Sequence, residues 1–113
     1  MNYVVLVVDD EPLLLELLCD MLADLDCEAI CVDCPVKGLE KLETDKRIAM
    51  LITDIQMPIM SGFELAERAK KTRPEMPVVL MSGAVPSSTE MPVLAKPLSR
   101  QRLAEIVAPL NSA

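Results

Sequence analysis

Five short apolar runs recur along the chain, and each is closed by polar or turn-forming residues. Residues 3–8 carry Val4-Val5-Leu6-Val7-Val8, a continuous apolar run rich in β-branched residues of the kind found in strands buried on both faces. Similar runs at 28–32, 49–53, 77–81 and 92–95 predict four further strands. Between them the period changes from two to that of a helix. Residues 12–25 open on Pro12, which suits a first turn, and place Leu14, Leu18, Met21, Leu22 and Leu25 on one stripe. Pro35 opens a second helix to about Glu43, with Val36, Leu39 and Leu42 inward. Ser61 is a candidate cap for a helix over 62–72, and Ser99 for one over 100–108, where Leu103, Ile106 and Val107 face inward and Pro109 limits extension. Strands separated by helical segments imply βαβ units and a parallel sheet covered on both sides.

The strand ends carry the chemistry. The first run stops at Asp9-Asp10, the third at Asp54, the fourth at Ser82-Gly83 and the fifth at Lys96-Pro97. In an open parallel sheet, ligands bind beyond the carboxyl ends of the strands. Singly, each of these residues has an ordinary explanation. An aspartate can cap the helix at Pro12, and Asp54, Ser82-Gly83 and Lys96-Pro97 can be turn residues. Jointly, acids, a hydroxyl and an amine on neighbouring strands suggest a divalent cation and a phosphoryl group.

Composition narrows the class. At 113 residues the chain is one domain, 1–113, and a hydrophobic fraction of 51% with only 2% aromatics predicts an aliphatic core. A net charge of −7 argues against a nucleic-acid surface, which needs clustered Lys and Arg. No run approaches a membrane span, and Met1-Asn2-Tyr3 lacks the basic start of a signal peptide, so the expected location is cytoplasmic. Cys27, Cys31 and Cys34 lie on one strand and its exit. With no histidine in the chain, buried free thiols for these and Cys19 are the better expectation than structural zinc.

The ordered set Val-Val-Asp9-Asp10-Glu11-Pro12, Asp54-Ile-Gln-Met57-Pro58-Ile-Met-Ser-Gly62, Ser82-Gly83 and Lys96-Pro97-Leu98 resembles the receiver domains of bacterial two-component response regulators, of the chemotaxis-receiver type. The resemblance covers essentially the whole chain. It implies a flavodoxin-like, doubly wound sheet of five strands in the order 2-1-3-4-5. It implies Asp54 as phosphoacceptor, with Mg²⁺ held by Asp9, Asp10, Asp54 and the backbone carbonyl of Gln56. Ser82 and Lys96 would bind the phosphoryl group, and the Lys96-Pro97 peptide is expected to be cis or otherwise constrained. The partners implied are a histidine kinase or histidine phosphotransfer protein and an unidentified downstream protein. Such a domain is no enzyme beyond catalysing its own phosphorylation and dephosphorylation, and the absence of an output segment favours a stand-alone regulator.

The physics is compatible with these roles. Crowded carboxylates raise one another's proton affinity, and a divalent cation relieves that repulsion. The main rival is a phosphatase with an aspartyl nucleophile, but such enzymes place an acid two residues on, where this chain has Gln56. Two departures from the receiver pattern stand out. Val93 occupies the place of an aromatic residue that normally swings inward. The segment 83–91 falls short of the roughly 10–12 residues of a helical crossover, so the fourth helix is expected to be missing or reduced. The first helix also carries more leucine than one face can bury. Leu13, Leu14, Leu15, Leu17 and Leu18 imply either a broad buried face or a contact for a helical partner.

Overall fold

The computed structural model describes residues 3–83, 91–96 and 98–111, with the backbone alone at Asn111. Its strands are β1 (Val4–Val8), β2 (Glu28–Val32), β3 (Ile48–Asp54), β4 (Val78–Ser82) and β5 (Val93–Ala95). The helices among the described residues are α1 (Pro12–Asp24), α2 (Pro35–Thr44), α3 (Gly62–Thr72) and α4 (Arg100–Asn111). All strand pairs are parallel, in the order β2-β1-β3-β4-β5. The strand runs thus lie within about a residue of their expected bounds, a shift ordinary for element ends. The expectation of a missing or reduced fourth helix concerns 83–91, of which 84–90 lie outside the described residues; so does Pro97.

Every side chain of β1 is fully buried, as befits the second strand of a sheet covered on both sides. Alternation sorts its residues into two cores. Val4, Leu6 and Val8 join the α2 and α3 side, with Leu42, Leu65, Ala66 and Ala69. Val5 and Val7 join the α1 and α4 side, with Leu18, Leu22, Leu103 and Val107. In β3 the pairing with β1 slips between Val4 and Val5, so that Val4 faces Ile48 while Val5 faces Met50. The extra residue, Ala49, lets Ile48 and Leu51 share one core although they are an odd number apart.

Several side chains depart from expectation. Leu15, rather than Leu14, joins the core under α1, while Leu13 and Leu17 are exposed at 83% and 48%. Leu13 and Leu17, four residues apart, therefore mark an apolar stripe turned to solvent, so α1 does not have one broad buried face. Val36 is also exposed. The α2 face that meets the sheet centres on Pro35, Gly38 and Leu42, and a Cβ at Gly38 would come within 2.9 Å of Val8 Cγ2. α4 runs on past Pro109 to Asn111. A proline near the helix end removes few hydrogen bonds, and Leu110 beyond it packs on the core.

The cysteines divide. Cys19 of α1 and Cys31 of β2 are joined in a disulfide with their Cα atoms 6.8 Å apart, which corrects the expectation of free thiols for this pair. The cause is geometric: α1 packs on β2, and alternation turns Cys31 to the α1 side. Cys27 is a buried free thiol and Cys34 a half-buried one.

Candidate phosphoryl and cation site

Four strand ends converge at one edge of the sheet, and a backbone hydrogen bond ties each to a neighbouring strand. Asp9 N–H donates to Val32 O at 3.2 Å, Ile55 N–H to Met81 O at 3.0 Å, and Lys96 N–H to Ser82 O at 2.9 Å. Asp9 is therefore anchored beside β2, Asp54 beside β4, and Lys96 beside Ser82. The turn after β3 is closed by Gly62, whose N–H donates to Ile55 O at 2.8 Å. A Cβ at Gly62 would collide with the Asp54 carbonyl oxygen and lie 2.8 Å from Ile55 Cα, so only glycine permits this approach. Ser61 caps α3 as expected, its Oγ accepting from Glu64 N–H at 3.2 Å, and Ser99 caps α4 through Arg102 N–H at the same distance.

Asp9, Asp54 and Ser82 are buried, whereas Asp10 and Gln56 are exposed. Lys96 Nζ lies 3.2 Å from Asp54 Oδ2 and 3.7 Å from Asp9 Oδ2. It also lies 3.3 Å from Glu11 Oε1. Glu11 has no assigned role in the motif, yet Asp9, Glu11 and Asp54 each offer an oxygen within 4.8 Å of the others. Asp10 is not part of that cluster among the described residues. No cysteine is either, so the zinc reading has no geometric support there.

The electrostatics are unbalanced. Burial pushes the Asp9 carboxyl above its usual range, and the neighbouring charges of Asp54 and Glu11 add to that. The Glu11 N–H, donating to Asp9 Oδ1 at 2.8 Å, and the Lys96 charge oppose the rise without cancelling it. Burial alone would lower the Lys96 amine, but the charges of Asp9, Asp54 and Glu11 outweigh it and raise it. Asp9 Oδ2 is buried and accepts no hydrogen bond among the described residues. An anionic oxygen left in that state is what a cation satisfies, and oxygen donors alone suit a hard divalent ion. The residues present therefore fit Mg²⁺.

On the far side of the site, β5 pairs Val93 with Leu80 and Ala95 with Ser82. Val93 is partly buried against the α2 and α3 core.

Comparison with known proteins agrees with this architecture. The family model of the response regulator receiver domain matches residues 5–108. The rice two-component response regulator ORR3 is 39% identical over 81 residues, covering 70% of this chain and 62% of its own length. The transcriptional regulatory protein GlrR of Escherichia coli is 30% identical over 110 residues, 90% of this chain but 24% of that protein. Among solved structures, the chemotaxis protein CheY4 of Vibrio cholerae superposes with a TM-score of 0.89 at 19% identity, covering 96% of this chain and 98% of its own. The receiver domain of the Pseudomonas aeruginosa sensor histidine kinase PA1611, solved with magnesium in its active-site cleft, does so at 0.87 and 18%, covering 100% of both chains. These two likenesses bear on the fold alone. Motif, sheet order and family match converge on one conclusion: the chain belongs to the response regulator receiver domain family of two-component signalling.

Proposed function

We propose that this domain accepts a phosphoryl group on Asp54 from a phosphohistidine partner, with Mg²⁺ as cofactor. The observation that carries the reading is the burial of Asp54 at the end of β3, with its Oδ2 3.2 Å from Lys96 Nζ and Asp9 alongside. An Asp54 carboxylate oxygen forms the new bond to phosphorus as the P–N bond to the donor imidazole breaks, and the imidazole takes up a proton. Lys96 then neutralises charge on the transferred group, and Ser82, at the neighbouring strand end, donates to one of its oxygens. Asp9, Asp10, Asp54 and the carbonyl of Gln56 would hold Mg²⁺. When bound, Mg²⁺ supplies charge neutralisation for both the crowded carboxylates and the phosphoryl oxygens. Asp10 belongs to this set through its place in the motif, since its carboxylate lies in solvent.

The acidity of the chain, with pI about 4.5, supports a protein partner rather than nucleic acid. No described helix is long and apolar enough to cross a membrane, and a cytoplasmic location is proposed with the rest of the reading. Exposed Leu13 and Leu17 on α1 offer an apolar contact for the phosphodonor beside the site.

Incubation with acetyl phosphate and Mg²⁺ should add one phosphoryl group by intact mass, labile to base. Asp54→Asn should abolish the addition, and labelling that survives in that variant would refute the assignment. Catalytic turnover of a phosphomonoester would favour the phosphatase reading instead.

A further inference from the structure

Glu11 is the one acid in the pocket to which the motif gives no task. It stands at the N-cap position of α1, yet its side chain makes no capping hydrogen bond. Instead its carboxylate reaches Lys96, 85 residues along the chain. Its side chain is 64% exposed, against 0% for Asp9 and 6% for Asp54, so it forms the outer wall of the cluster. Three carboxylates thus share one ammonium, and the innermost oxygen, Asp9 Oδ2, still has no hydrogen-bond donor among the described residues.

We propose that Glu11 gates this pocket: it holds Lys96 before phosphoryl transfer, draws the divalent cation in, and opposes the phosphoryl group both on entry and while bound. The proposal rests on the receiver reading for its phosphoryl half. Lys96 cannot serve Glu11 and a phosphoryl group on Asp54 equally. Once it turns to the phosphoryl oxygens, Glu11 loses its counter-charge and faces a dianion. The same negative charge attracts Mg²⁺. Removing it therefore moves the two affinities in opposite directions, which loss of packing or helix structure does not do.

Glu11→Gln keeps the size and removes the charge. Labelling by acetyl phosphate should quicken by about three- to tenfold, and the phosphoryl half-life should lengthen by a similar factor, as expected for one partly screened unit charge nearby. Mg²⁺ affinity of the unphosphorylated protein, read by calorimetry, should fall by about three- to tenfold. All three effects should shrink in about 1 M salt, where the screening length is near 3 Å. Glu11→Asp, which keeps the charge but draws it back, should fall between the two. A Glu11→Gln protein unchanged in rate, lifetime and affinity, or one in which rate and affinity fall together, overturns the gate. If the wild type takes no phosphoryl group at all, the receiver reading fails first, while calorimetry still decides whether Glu11 draws in the cation.

Discussion

At the amino-terminal end of β3, the Arg73 guanidinium donates to two neutral backbone carbonyls, Ile48 O at 3.0 Å and Asp45 O at 2.9 Å. At the carboxyl end of the same strand, two buried carboxylates and an exposed one share a single lysine, and a buried oxygen accepts no hydrogen bond among the described residues. The first arrangement pairs a charged donor with neutral acceptors, which cost less to bury than carboxylates do, and it ties the C-cap of α3 to the loop before β3. The second leaves charge in excess. In one sheet, polar groups at one end are placed to hold the fold, and those at the other end, on the proposed reading, are held by it for use on a ligand.

Substitutions can break this contrast. The largest loss of stability is expected from Gly62→Ala, about 3 kcal/mol by urea unfolding, because a methyl there meets backbone that cannot yield. The variant should also lose phosphoryl acceptance, since Asp54 would shift with its own carbonyl. Arg73→Ala comes next, at about 2 kcal/mol for two charge-assisted hydrogen bonds. Its labelling by acetyl phosphate should stay within about twofold of wild type, the far end being separate from the chemistry. A variant that folds well but labels poorly would show that the two ends are coupled.

The smallest effect has the opposite sign. The Asp9 carboxyl is raised above its ordinary range, so just above that range the folded protein keeps a proton that the unfolded chain has released. Stability contributed here falls as pH rises through that window and stays lost at neutral pH. Asp9→Asn should therefore stabilise the metal-free protein at pH 7, with no gain at pH 3, where both states are protonated; urea unfolding at the two pH values reads the difference. It should weaken Mg²⁺ binding at the same time. Destabilisation at pH 7 would mean that the attraction between Asp9 and Lys96 outweighs the cost of burial.

The strands and the acid, hydroxyl and amine at their ends were legible because each lies in a short apolar run with a local stop. What escaped was long-range or a matter of facing. Arg73 lies just past the expected end of the 62–72 helix, and nothing local links it to Ile48. Glu11 read as a motif residue without a task, because its partner lies at the far end of the chain; a third acid directly after the pair was the available signal. Val36 and Leu14 were assigned inward from period alone, but Gly38 and Leu15 mark the faces that meet the sheet. The break in alternation at Ala49 was hidden by a run that is apolar throughout. The Cys19–Cys31 pairing depends on how α1 lies across β2, which spacing does not encode.

The three backbone hydrogen bonds at the strand ends also have a mechanical meaning. Val32 to Asp9, Met81 to Ile55 and Ser82 to Lys96 form the outermost rungs of the sheet. Pulling Lys96 toward a new partner loads the rung to Ser82, and Ser82 is the strand neighbour of Ala95. β5 is three residues long, while β3 spans seven. Strain entering at Lys96 would meet a three-residue strand at the edge and a seven-residue one inside, and the edge is expected to yield first. If Asp54 carries a phosphoryl group as proposed, a protein that senses it is expected to find its most compliant contact at β5 and the start of α4.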